Sequence, residues 1–143
     1  MILNIIKKIY FLLFGDLILL PKQKLALYLP LRNEFNDDYA ENYFKFRNQE
    51  RKQSMDALSQ MFSLKDKSFC SIGCGFAGEE FHIVDKVKVL NLIEPHLETI
   101  KFVKKKYKKF KNVVYFHDLM EYVEFDYKLD VIYTSGPSNW MYE

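Results

Sequence analysis

S-F-C-S-I-G-C-G-F-A-G, residues 68–78, joins a short apolar run to three glycines, and Glu79 and Glu80 follow at once. Phe69, Cys70 and Ile72 come after the charged residues 65–67, and Gly73, Cys74 and Gly75 then break the run. The pattern reads as a strand, a tight loop and a helix N-terminus. Glycines let a backbone approach a ligand closely, and free N–H groups at a helix start suit a nucleotide or a carboxylate. The chemistry expected here is cofactor binding.

Downstream, strand and helix signals alternate. Phe81, Ile83 and Val84 read as a short helix, and V-K-V-L-N-L-I-E, residues 87–94, as a second strand ending in the carboxylate of Glu94. Pro95 stops that strand and opens a helix with Leu97, Ile100, Val103, Tyr107 and Phe110 on one face. N-V-V-Y-F-H, residues 112–117, is a third strand closed by Asp118 and Leu119, and L-D-V-I-Y, residues 129–133, is a fourth. The predicted class is α/β, a Rossmann-like three-layer fold with a parallel sheet of about four strands.

Upstream lies a helical region, residues 1–64, leading into a half-domain at residues 65–143. Asp37 or Asp38 is placed to cap one long or broken amphipathic helix over residues 39–64, which carries Tyr43, Phe44, Phe46, Met55, Leu58, Met61 and Phe62. The opening segment, residues 1–20, is the most apolar, but Asn4, Lys7, Lys8, Gly15 and Asp16 interrupt it. Its uncharged run falls short of the roughly 20 apolar residues of a spanning helix, and no small-residue cleavage site follows. Asn4, Lys7 and Lys8 share a helical face, so packing on the domain or a partner and peripheral membrane contact both stay open.

The 143 residues suffice for one sizeable core, with 49% hydrophobic and 28% charged residues. With 21 basic against 19 acidic residues the net charge is +2, too balanced to argue for a nucleic-acid partner. The lysines at 101, 104, 105, 106, 108, 109 and 111 sit opposite the apolar face of their helix and read most simply as a solvated surface, with an anionic partner such as RNA, a lipid headgroup or a phosphorylated substrate as the other reading. Cys70 and Cys74 are too close in sequence for a comfortable disulfide, which predicts reduced thiols in a cytoplasmic protein. His82, His96 and His117 show no zinc spacing, so no metal site is expected.

Gly73, Gly75 and Gly78 fit G-x-G-x-x-G, and Glu94 stands 21 residues beyond the first of them (94 − 73), at the end of the next strand. A loop of this kind cradles the charged middle of a nucleotide cofactor, while a carboxylate at the second strand's tip accepts from two ribose hydroxyls. A glutamate there repels a ribose 2′-phosphate. Asp118, at the tip of the third strand, shares the sheet edge with Gly73 and Glu94, because parallel strands bring their carboxyl ends together. Its carboxylate can accept from an adenine amino group and the Leu119 N–H can serve a ring nitrogen; capping a helix over residues 119–122 is compatible with both.

I-G-C-G-F-A-G, L-I-E-P-H, F-H-D-L and L-D-V-I-Y-T-S together resemble the ordered motifs of class I S-adenosylmethionine-dependent methyltransferases, over roughly half the chain. The resemblance implies that Gly73, Cys74 and Gly75, with Gly78 closing the loop, hold the methionine part of S-adenosylmethionine. It implies that Glu94 holds the ribose and that Asp118 with Leu119 faces adenine. The loop from Ser135 to residue 140 then faces the methyl group and a small-molecule acceptor. The family usually has an acid two positions before the first glycine, where this chain has Ser71. It also has more strands than the four read here, so a fragment, a shortened product and half of an assembly stay open, and in the last case a partner covers the sheet edge.

No catalytic residue is evident: methyl transfer depends mainly on positioning, and neither His96 nor His117 stands out as a base. S-G-P-S-N-W, residues 135–140, lacks the acidic or Asn-Pro-Pro-aromatic pattern of amino-group methyltransferases, which favours a small-molecule or sugar hydroxyl acceptor. Two other readings stay open. One is an NAD-dependent oxidoreductase domain, supported by the glycine pattern with Glu94. The other is a non-catalytic remnant or partner-binding module, supported by Ser71 and the early stop.

Overall fold

A computed structural model describes residues 36–135; residues 1–20, and residues 136–140 after the fourth strand, lie outside the described residues. The elements run α1 (Asp37–Lys45), α2 (Asn48–Met61), β1 (Ser68–Ile72), β2 (Val89–Ile93), α3 (Leu97–Tyr107), β3 (Val113–Phe116) and β4 (Val131–Tyr133). All four strands are parallel, in the order β3-β2-β1-β4, which is the α/β Rossmann-like arrangement expected. β1 covers its whole apolar run, while β2, β3 and β4 are each shorter than the stretch that predicted them.

Strand order reverses at β1. The chain steps outward from β1 to β2 and β3, then returns to the free side of β1 as β4. Such a reversal opens a crevice at the carboxyl ends of the strands flanking it. Ser68 and Asp130 fix the return: Ser68 N–H donates to Asp130 Oδ2 at 2.8 Å, and Asp130 N–H donates to the Ser68 carbonyl at 3.0 Å.

Alternation along the strands divides the sheet into two faces. Phe69, Leu90 and Leu92 point into the main core, where they meet Ala40 of α1, Met55 of α2, and Phe102, Val103 and Tyr107 of α3. On the other face, the chain between β3 and β4 crosses over Asn91. Tyr127 Oη donates to Asn91 Oδ1 at 2.6 Å, while Asn91 Nδ2 donates to the Phe69 carbonyl at 3.1 Å. The crossing chain leaves Ile132 60% exposed and Val114 39% exposed on that face.

Two local expectations are corrected, the cap of α1 and the helix after the glycine loop, and the choice between one long helix and a broken one is decided for the break. Asn36 caps α1, its side chain accepting from Tyr39 N–H at 2.8 Å, while Asp37 and Asp38 occupy the first turn. The helical stretch over residues 39–64 breaks at Phe46 and Arg47, where Arg47 turns left-handed with φ 53°. Arg51 seals the break by donating from Nη1 to the carbonyls of Tyr43 and Phe44 at 3.0 and 3.1 Å, which satisfies helix-end acceptors. After the glycine loop no α-helix forms: Glu80–His82 makes one 3-10 turn, and turns continue to β2. Ile83, Val84 and Val87 are poor helix formers, and Asn112 Nδ2 takes the carbonyls of Val84 and Val87 at 2.7 and 3.0 Å.

Candidate functional site

The carboxyl ends of the four strands deliver Gly73, Glu94, Asp118 and Ser135 to one edge of the sheet. Gly73 and Gly75 have φ of +63° and +54°, a conformation that favours glycine, and a Cβ built on either meets no atom within 4 Å. These two glycines therefore serve the path of the loop, not its packing.

Gly78 differs. A Cβ there would lie 2.5 Å from Arg51 Nη1 and 3.0 Å from the Phe44 carbonyl, so its missing side chain lets the loop back on to the α1–α2 junction. Ala77, between Phe76 and Gly78, is itself left-handed at φ 52°, and Tyr107 Oη donates to its carbonyl.

Glu94 links the loop to the end of β2. Its Oε2 accepts from Gly75 N–H and its Oε1 from His96 N–H, both at 2.9 Å, and the residue is buried. Burial raises its pKa to about 7, against the pull of those two donors. A carboxylate has roughly four lone-pair positions, so two remain for other donors such as ribose hydroxyls. Asp118 Oδ1 accepts from the N–H of Leu119 at 2.9 Å, so the group expected to serve an adenine nitrogen is held by its own neighbour. The helix expected over residues 119–122 is a 3-10 turn, Met120–Tyr122, with Leu119 at its start. Ser135 is exposed beyond β4.

Glu80 is a second buried carboxyl at the loop, and sequence reading took it only for a helix start. It is 2% exposed, and Ser71 Oγ donates to its Oε1. Burial is the main cause that pushes it up to about 7, and Glu79 adds to the shift while Arg51 opposes it. Cys74 lies within the influence of both Glu80 and Glu94, and burial together with their charge raises its thiol well above the usual range. The result is an inert thiol, not a nucleophile. Cys70 is likewise free and pushed up to about 11 by burial. His96 is held below its usual pKa by burial, so its ring is neutral near pH 7.

The lysine face carries its own counter-charges. Lys105 Nζ lies 3.5 Å from Asp37 Oδ2, Lys106 pairs with Glu41, and Lys109 stands 4.8 Å over the Phe110 ring. These are the contacts of a solvated helix surface. Among the described residues no helix is long and apolar enough to cross a membrane.

No family model matches the sequence, and no curated protein is similar to it. Solved structures do match its fold. A SAM-dependent methyltransferase from Aquifex aeolicus superposes with a TM-score of 0.56 at 16% identity, over 71% of this chain and 57% of that one. The N-methyltransferase NodS from Bradyrhizobium japonicum WM9, solved with S-adenosyl-L-homocysteine, gives 0.55 at 18% identity, over 78% of this chain and 55% of that one. The chain has the class I methyltransferase fold. A third example of the methyltransferase fold, magnesium protoporphyrin IX methyltransferase from Synechocystis PCC 6803 with bound SAM, gives 0.53 at 12% identity over 92% of this chain. The chain spans 55% to 60% of the length of these three structures.

Proposed function

We propose that this chain is the cofactor-binding part of an S-adenosylmethionine-dependent methyltransferase acting on a small-molecule or sugar hydroxyl acceptor. The observation that carries the reading is the charge around the glycine loop. Two buried carboxyls, Glu80 and Glu94, flank it, and no α-helix follows it. A dinucleotide puts its pyrophosphate on the N-terminus of an α-helix, where the backbone dipoles favour an anion. Here that support is missing and the nearest buried charges are negative, which disfavours NAD and suits a ligand carrying an ammonium and a sulfonium.

The residues fit such a ligand by their roles. Gly73 and Gly75 give close access to the backbone, with Cys74 between them, and Gly78 sets the depth of the loop. Glu94 keeps lone pairs for ribose hydroxyls, and at the next strand tip the Asp118 carboxylate, which already holds the Leu119 N–H, keeps acceptor positions for the adenine amino group. Ser135 starts the loop that would face the acceptor. Bound there, the cofactor supplies an electrophilic methyl group on sulfur. What the chain contributes is binding and orientation, the main requirement of an in-line displacement.

Calorimetry with S-adenosylhomocysteine and NAD, using Glu94→Ala as control, tests the reading. The expected outcome is micromolar binding of the first ligand alone, weakened at least tenfold in the variant, the scale of losing hydrogen bonds to a charged group. A folded chain that binds neither ligand would sink the methyltransferase reading. It would favour a non-catalytic, partner-binding module, a role that the exposed Ile132 on β4 also supports.

A further inference from the structure

Position 71, at the end of β1, carries a serine, yet a carboxyl group lies within hydrogen-bonding reach of it. It arrives from elsewhere in the chain: Glu80, in the turn beyond the glycine loop, reaches back so that Ser71 Oγ donates to its Oε1. Among the described residues Glu80 forms no ion pair, although it is 2% exposed. A buried carboxyl in that condition lacks a counter-charge.

We propose that Glu80 is a positioning residue for the amino-acid end of the ligand, setting beneath the glycine loop the negative charge that residue 71 lacks. This inference rests on the S-adenosylmethionine reading above. Glu80 acts through Ser71 and through its field on the loop backbone, and the ammonium group of the ligand is the counter-charge it is built for. The groups around it fit that role. Glu79 beside it is held by Tyr133 Oη at 2.6 Å from Glu79 Oε2, Arg51 from α2 is committed to the α1 carbonyls, and Cys74 and Tyr107 both keep their protons. Arg51 is the one cation of this set, and its influence on Glu80 is weaker than that of burial, of the Ser71 hydrogen bond or of Glu79.

A carboxyl whose pKa burial has brought to about 7 is half protonated near neutral pH, and an approaching cation drives the proton off. Binding of an ammonium-bearing ligand is therefore expected to release a proton from Glu80 and to tighten as pH rises from about 6 to 8. A ligand without the ammonium has no such dependence on Glu80.

The test compares S-adenosylhomocysteine with 5′-methylthioadenosine, which keeps the nucleoside and thioether but lacks the amino-acid end. Both are titrated into the full chain and into Glu80→Gln, at several pH values. We expect Glu80→Gln to weaken S-adenosylhomocysteine on the order of tenfold, to flatten its pH dependence, and to leave 5′-methylthioadenosine unchanged. Equal weakening of both ligands would reduce Glu80 to a packing role and overturn the inference, as would no weakening of either. A wild-type chain that binds neither nucleoside overturns the methyltransferase reading itself, and this inference with it. Should Glu80→Gln fail to fold, the double variant Ser71→Asp with Glu80→Ser decides. It exchanges the two ends of the hydrogen bond, and near-native affinity for S-adenosylhomocysteine supports the inference while its loss overturns it.

Discussion

Glu80 and Glu94 both have folded-state pKa values near 7, above the 4.5 of a free glutamate, and that fixes the sign of their effect on stability. Between about 4.5 and 7 the folded chain holds protons that the unfolded chain releases, so their contribution is most favourable at the acid end and is lost as pH rises through 7. His82 and His96, whose pKa values burial lowers, work the other way in the acid range. The carboxyl effect is therefore read by difference. Glu80→Gln keeps an acceptor for Ser71, and chemical denaturation should find it near wild type at pH 5 and more stable than wild type at pH 8. A difference that does not grow with pH would show that Glu80 is not a buried acid of raised pKa. Gly78→Ala tests packing at the same loop: with a backbone carbonyl 3.0 Å from the new Cβ, it should cost about 1–3 kcal/mol, read as a lower Tm.

Elements follow the local rules in part. Asn36 caps α1 as that residue type should, and α3 buries Ile100, Val103 and Tyr107 at helical spacing. The break at Arg47 could not be read from propensity, because the left-handed turn is stabilised by Arg51 reaching back to α1, a contact between two helices. The missing helix after the glycine loop has a similar origin in Asn112, which lies beyond α3 in sequence. Asn91 is the corresponding feature of the sheet: a polar residue with 0% exposure in a central strand, tied by Tyr127 to the crossing chain. Tyr127→Phe would leave the Asn91 Oδ1 acceptor buried without that donor, at a cost of about 1–3 kcal/mol. Thermal unfolding should show the loss, and an unchanged Tm would mean that the crossing chain is held by its Phe125 ring contacts alone.

At the scale of the molecule, among the described residues the helices gather on one face of the sheet and a single crossing chain lies on the other. That asymmetry leaves Ile132 60% exposed on β4, which pairs with β1 along one edge and with no other strand among the described residues. An open apolar edge strand invites association, and a lysine there is a common deterrent. Ile132→Lys should lower light scattering on concentration while changing stability by no more than ~0.5 kcal/mol. Scattering unchanged by the substitution would place the sticky surface elsewhere.

The alternation of apolar runs with helical spacing determined the parallel α/β class, and the four strand ends determined that Gly73, Glu94, Asp118 and Ser135 would share an edge. Both follow from local chain geometry, since parallel strands joined by crossovers place their carboxyl ends together. The tertiary structure alone showed that Gly78 serves Arg51 and Phe44, that Leu119 N–H is held by Asp118, and that Glu80 sits under the loop against Ser71. Each of those depends on where a side chain is buried and what it meets there. Burial makes an ordinary acidic residue hold its proton until a partner for its charge arrives, and no spacing of residues along a chain records it.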